Sequence, residues 1–111
     1  MSGTKSRADV QSILDQIKAY LRQRFGDGIE AILLYGSYAR GCAKPESDID
    51  ILVVVRDALK PTEVRQSLSD LLYDILLEHG ELVSVIVLPR SLYEASNSLF
   101  LHHVRQEAVP I

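Results

Sequence analysis

Apolar residues recur along the chain with two different periods, and each change of period marks a predicted element. After the Ser6–Asp9 pair, which resembles a helix capping box, apolar side chains fall three or four positions apart, at Val10, Ile13, Leu14, Ile17 and Leu21. Gly26 and Gly28 end this helix. Residues 30–35 and 48–55 are nearly continuous aliphatic runs, which are typical of buried strands.

The second half of the chain predicts a helix, a third strand and a short helical segment. Pro61-Thr62 begins the helix and Gly80 ends it, with a buried stripe at Val64, Leu68, Leu71, Leu72, Ile75 and Leu76. Residues 81–88 form a β-branched run that Pro89 closes, and residues 92–104 hold one or two helical turns. Because the third strand returns after a helical crossover, we expect an α+β fold, a small mixed β-sheet with helices packed mainly on one face.

Composition narrows the class of protein. A length of 111 residues predicts a single domain over residues 1–111, and 47% hydrophobic residues is a globular level. A net charge of -3 without a Lys/Arg run argues against nucleic acid as a partner, but it leaves room for a metal-bridged nucleotide. One cysteine excludes an internal disulfide, and no signal peptide or membrane-spanning stretch is visible. We therefore expect a cytoplasmic protein, whose exposed sheet edge would allow two copies to pair.

The loop between the first two strands carries the strongest chemical signal. Gly36-Ser37 follows the first strand, and after ten more residues Asp48 and Asp50 open the second strand. Side chains alternate along a strand, so Asp48 and Asp50 point the same way and repel each other. A fold keeps such a pair mainly where a hard cation offsets the repulsion. The spacing therefore predicts that a nucleoside triphosphate is handled through Mg2+.

Other residues of this loop fit the same ligand. Gly36 lets a ligand approach the backbone closely, and Ser37 offers a hydroxyl and an N–H to phosphate. Arg40 and Ser47 are further candidate nucleotide-binding residues, Arg40 as a contact to the triphosphate and Ser47 also as a cap or brace for the acids. Core packing or surface exposure is the more ordinary role for Tyr35 and Tyr38, although either ring would be able to stack on a base.

Gly36-Ser37, ten residues and Asp48-x-Asp50 within hydrophobic strands resemble the signature of the DNA polymerase β-like nucleotidyltransferases, and the length resembles their minimal branch. The resemblance implies that Ser37 binds triphosphate and that Asp48 and Asp50 bind Mg2+ during transfer of a nucleoside monophosphate, from ATP, to a hydroxyl. It also implies a partner, because minimal members often act as antitoxins of a HEPN-type ribonuclease toxin and some modify a tyrosine on it.

The chain departs from the family at one position. Active members usually carry a third acid on the strand after the crossover helix, where this chain has Ser84 in mid-strand. A hydroxyl cannot replace a carboxylate as metal ligand or base at neutral pH. Glu81 falls on the opposite face by alternation. The alternative hypothesis is therefore a catalytically weak module that neutralises a partner by complex formation. Drug modification, as in aminoglycoside nucleotidyltransferases, would need an additional sugar-holding domain.

Overall fold

The computed structural model describes residues 7–111, so Ser6 of the predicted cap lies outside the described residues. After a 3-10 turn at Arg7–Val10, the elements in chain order are α1 (Gln11–Phe25), β1 (Ile29–Tyr35), α2 (Ser37–Arg40), β2 (Ile49–Val55), α3 (Pro61–Ser67), α4 (Ser69–His79), β3 (Val83–Pro89), α5 (Arg90–Ala95), α6 (Leu99–Glu107) and β4 (Val109–Pro110).

Within residues 7–111 the strands form one mixed sheet in the order β3-β2-β1-β4. β2 lies antiparallel to β1 and parallel to β3, which confirms the mixed sheet expected from the helical crossover. β4 was not predicted from the sequence. It contributes only Val109 and Pro110, which pair with Leu34 and Leu33 of β1, and two residues are too few to show a strand period.

The main core lies on one face of the sheet, where α1, α3 and α4 pack. Odd-numbered residues of β2 and β3 point into it, and its most deeply buried members are Leu14, Ile17, Leu21, Leu34, Ile49, Ile51, Val53 and Leu68. Even-numbered residues point to the other face, where α5 and α6 cover a smaller cluster that includes Leu52, Leu101 and Val104. Helices packed mainly on one face are therefore confirmed, and the second face is left open around the start of β2.

The single helix predicted after Pro61 is two helices, which meet at the fully buried Leu68. At the break, the Ser67 hydroxyl donates to the Val64 carbonyl, and the Tyr20 hydroxyl donates to the Ser67 carbonyl at 2.7 Å. Side-chain bonds of this kind compete with the helix ladder. The predicted buried stripe was wrong at Leu76, which is 38% exposed.

The turn after β1 brings backbone directly onto an acidic side chain. Gly36 has φ 78° and ψ -156°, a region that only glycine adopts readily. β1 and β2 pair Tyr35 with Asp50, so the chain leaving β1 passes over Asp50. A Cβ placed on Gly36 would lie 2.3 Å from Asp50 Oδ2. The absence of a side chain at this position is therefore what leaves room for the Asp50 carboxylate.

We expect Gly36→Ala to cost more stability than Gly41→Ala in urea denaturation. Gly41 also has a positive φ, 73°, but open space surrounds it, so it measures the backbone strain alone, about 1–2 kcal/mol. Gly36→Ala adds the collision with Asp50 and the greater strain of its own backbone region, together roughly 1–3 kcal/mol more. In an Asp50→Ala background this excess should shrink, because the colliding oxygens are gone. Equal losses for the two glycines in the wild-type background would contradict the contact.

Candidate functional site

Two carboxylates open β2 on the uncovered part of the second face. Asp48 is exposed just before the strand, and Asp50 is half-buried within it. Burial raises the pKa of the Asp50 carboxyl, and the charge of Asp48 raises it further. The charge of Asp48 thus disfavours ionisation of Asp50, so the two acids lie within electrostatic reach of each other.

The loop above these acids is held by its own backbone. The Gly36 carbonyl accepts from the Arg40 N–H at 3.1 Å, and the Ser37 carbonyl accepts from the Cys42 N–H at 3.0 Å. These bonds form the short helix α2 directly after the Gly36 turn, so Ser37 opens a helical turn beside Asp50. Cys42 is an exposed free thiol. The structure thus places Gly36 against Asp50, with Ser37 next along the chain.

Ser47 shapes the segment that leads into Asp48. Its hydroxyl accepts from the Lys44 N–H at 2.9 Å, and its own N–H donates to the Lys44 carbonyl at 2.9 Å. Ser47 therefore closes a tight turn one residue before Asp48. This places its bracing action on the loop backbone, and the nucleotide contact predicted for Ser47 stays a prediction.

The two tyrosines that flank the turn are packed into the protein. Tyr38 is 1% exposed, and its hydroxyl donates to Glu81 Oε2 at 3.0 Å. Burial and this bond raise the pKa of Tyr38 to about 12. Tyr35 is 9% exposed, and its ring meets Phe100 edge-on with 5.6 Å between centroids. Tyr38 therefore anchors α2 to the segment before β3 and has no face free to stack on a base.

Ser84 lies beside Asp50. The parallel pairing of β2 and β3 sets Asp50 against Ser84, and both side chains belong to the even-numbered, second face of the sheet. Glu81, three residues earlier, is buried on the other side with Tyr38. The strand after the crossover helix thus presents a hydroxyl next to Asp50, at the position where the sequence pattern led us to look for a carboxylate.

Glu107 is a site residue that the sequence did not reveal. Its Oε1 accepts from the Gly36 N–H at 3.3 Å, and its Oε2 accepts from Arg40 Nη1 at 2.8 Å. The Arg40 guanidinium is the main cause of the lowered pKa of the Glu107 carboxyl, and the Gly36 N–H contributes. Glu107 lies 71 residues after Gly36, and β4, which would have placed it there, shows no strand pattern.

The donor set of the site fits magnesium that arrives with a nucleotide. Residues 7–111 contain no group of three His, Cys, Asp or Glu side chains that could hold a metal ion by themselves. Mg2+ commonly binds one or two protein carboxylates together with substrate phosphates and water. Asp48 and Asp50 supply such a pair, and Gly36, lacking a side chain, lets the turn pass directly over the Asp50 carboxylate.

Among the helices within residues 7–111, none combines the length and the apolar character that spanning a bilayer requires.

Comparisons with known proteins identify the family of this chain. A family model for a nucleotidyltransferase domain matches residues 14–105. The protein adenylyltransferase MntA of Thermococcus cleftensis is 43% identical over 67 residues, which are 58% of this chain and 66% of that protein. MJ1305 of Methanocaldococcus jannaschii is 36% identical over 85 residues, which are 75% of this chain and 58% of that protein. The chain thus spans about three fifths of the length of these relatives.

Solved structures agree on the fold. A toxin–antitoxin crystal structure with AMP-PNP superposes with a TM-score of 0.58 at 23% identity, covering 86% of this chain and 69% of that one. The toxin–antitoxin MntA-HpeT mutant D39ED41E gives 0.60 at 21% identity, covering 86% and 69%. At such identities the likeness concerns the fold. Together with the match over residues 14–105, it shows that this chain belongs to the nucleotidyltransferase domain family.

Proposed function

We propose that this domain binds ATP with Mg2+ and transfers the nucleoside monophosphate to a hydroxyl on a protein partner. The observation that supports the proposal is the Gly36 turn lying over Asp50, since this arrangement would let one ligand contact the N–H groups of the turn and the carboxylate oxygens together. A relative named as a protein adenylyltransferase supports a protein acceptor, and a toxin–antitoxin neighbour with AMP-PNP supports both the nucleotide and the partner. A HEPN-type toxin is the partner that we expect, with this chain as its antitoxin.

Each site residue has a role in this reaction. The Gly36 and Ser37 backbone and the Arg40 guanidinium hold phosphate oxygens, and Asp48 and Asp50 hold Mg2+. The acceptor hydroxyl loses its proton to water as its oxygen attacks the α-phosphorus, the bond from that phosphorus to the β-phosphate oxygen breaks, and pyrophosphate leaves. Mg2+, when bound, offsets the charge on the phosphates and favours ionisation of the attacking hydroxyl.

The electrostatics of Asp48 and Asp50 favour the binding of a cation beside them. Ionised Asp50 is disfavoured by burial and by Asp48, so the pair lowers the stability of the metal-free protein at neutral pH. A divalent cation reverses the sign of this interaction. A pair that is unfavourable alone and favourable with a cation is what a functional metal site requires.

One observation favours the second candidate, a binding module with weak or no catalysis. Ser84 lies beside Asp50, where a carboxylate would complete the metal site and accept the proton of the acceptor hydroxyl. Nucleotide binding needs only Asp48 and Asp50, whereas activation of the hydroxyl needs a further anionic group. In this case the domain would inhibit its partner by covering it.

Incubation with α-labelled ATP, Mg2+ and the partner separates the two functions. We expect label on the partner, and a loss of more than about 100-fold in Asp48→Ala/Asp50→Ala, since even outer partners of metal ligands contribute 10- to 100-fold. Asp70→Ala/Asp74→Ala removes the same charge from the exposed side of α4 and serves as the control. Absence of label with the wild type, with the partner still inhibited by the double site variant, would reject the enzyme.

Ser84→Asp tests whether the lack of a carboxylate at this position limits the rate of transfer. We expect it to raise the rate of labelling by about tenfold or more, because a positioned general base contributes on the order of 100-fold or above. Ser84→Ala is the control for loss of the hydroxyl and should leave the rate within about twofold. A slower Ser84→Asp with normal ATP binding would show that the position beside Asp50 takes no part in activating the acceptor.

Asp50→Asn should stabilise the metal-free protein at pH 7 by no more than a few tenths of a kcal/mol, since solvent screens the partly exposed carboxylate, while abolishing the stabilisation by Mg2+ and ATP. The pKa of Asp50 is raised in the folded protein, so its favourable contribution exists below the unfolded pKa and is lost as pH rises through the folded pKa. The difference in urea midpoint between the variant and the wild type should therefore vanish near about pH 3 and grow towards neutrality. A variant less stable than the wild type at pH 7 would contradict this electrostatic account.

A further inference from the structure

A carboxylate occupies the anion-binding groups of the candidate site. Glu107 accepts from the Gly36 N–H through Oε1 and from the Arg40 guanidinium through Oε2. These donors are two of the groups that the proposed function gives to the triphosphate. A carboxylate and a phosphate present similar acceptor oxygens to such donors.

The fold fixes Glu107 in this place. β4 pairs antiparallel with β1, with Val109 opposite Leu34, so the residues just before β4 come alongside the end of β1 and the Gly36 turn. Glu107 is the last residue of α6, and the Ala108 N–H closes that helix on the Val104 carbonyl at 2.8 Å. The backbone of Glu107 is thus held between a helix end and a strand, and only its side chain is free to move.

The charge of Glu107 reaches the acids as well. Besides burial and Asp48, Glu107 raises the pKa of Asp50, while Arg40 lowers it. Three carboxylates and one guanidinium therefore share the site. A triphosphate entering this site brings further negative charge, which is repelled by Glu107 as long as the carboxylate stays on the Gly36 N–H.

We propose that Glu107 is an internal competitor of the triphosphate, which must displace the Glu107 carboxylate from Gly36 and Arg40 in order to bind. The inference rests on the proposed function, since it takes the Gly36 turn as a triphosphate site. Displacement needs no unfolding: the side chains of Arg40 and Glu107 are 52% and 25% exposed, and an exposed ion pair of this kind shifts an equilibrium only about fivefold or less. The phosphates can therefore displace the Glu107 carboxylate, and nucleotide affinity depends on this competition.

The test is calorimetric titration of wild type, Glu107→Gln and Glu107→Ala with inorganic triphosphate and with ATP, both in the presence of Mg2+. We expect both variants to bind each ligand about two- to fivefold more tightly, with the larger gain for Glu107→Ala, since an amide oxygen still accepts from Gly36. The gain should decline at high salt. Adenosine, which lacks phosphates, should bind no more tightly to either variant.

Glu94→Gln is the matched control. It breaks another exposed arginine–glutamate pair, Arg90–Glu94 at 2.6 Å, at the opposite end of the sheet, and should leave triphosphate affinity unchanged. If Glu107 instead positions Arg40 and the turn for the ligand, both Glu107 variants bind more weakly, and the inference is wrong.

The outcomes also separate this inference from the proposed function. Tighter triphosphate binding by Glu107→Ala without any transfer to a partner supports the inference and rejects the enzyme. Transfer by the wild type, with unchanged or weaker binding by both Glu107 variants, supports the enzyme and overturns the inference. Failure of wild type and Glu107→Ala alike to bind inorganic triphosphate overturns it too, since the turn would then be no anion site.

Discussion

The close approach of the Gly36 backbone to the Asp50 carboxylate is the constraint on which the site depends. It follows from the pairing of Tyr35 with Asp50, which makes the turn after β1 pass over the start of β2. A slip of one residue would turn Asp50 into the main core and expose Ile49 or Ile51 in its place. The same apolar side chains that bury the sheet against α1 and α4 therefore determine where the acids meet the backbone of the Gly36 turn.

The pKa values of two carboxyls in the site shift in opposite directions because their surroundings differ. The pKa of Asp50 is raised, first by burial and then by Asp48, whereas the pKa of Glu107 is lowered, first by the Arg40 guanidinium. In the metal-free site, the negative charge of Asp50 is thus destabilised, whereas that of Glu107 is stabilised. A Mg2+–triphosphate complex would invert both conditions, because it brings a cation to Asp50 and an anion to the donors that Glu107 occupies.

Local patterns sufficed for the parts of the molecule that local physics determines. The strand runs, the crossover helix and the Gly36–Asp50 spacing are contiguous signals, and from them the mixed sheet and the residues around Gly36 could be predicted. The break at Leu68 could not, since it involves a bond from Tyr20, 47 residues before the acceptor Ser67. β4 is only two residues long, so the sequence shows no strand period there. The position of Glu107 depends on the pairing of β4 with β1, so it could not be predicted either. Long-range pairing of short segments leaves no mark in a sequence window.

In the proposed function, Ser84 and Glu107 affect different steps, so binding and chemistry are separated within the same small site. Glu107 competes with the triphosphate before it is bound, so its effect belongs to affinity and ends once the phosphates have displaced it. Ser84 lies beside Asp50 and acts only when an acceptor hydroxyl must lose its proton, so its effect belongs to the chemical step. Under the proposed function, a domain with both features would bind nucleotide weakly, and its own residues would support only slow transfer. A partner that lent an anionic group near Asp50 would overcome the second limitation and leave the first, so any dependence of catalysis on the partner should appear in the turnover rate rather than in nucleotide affinity.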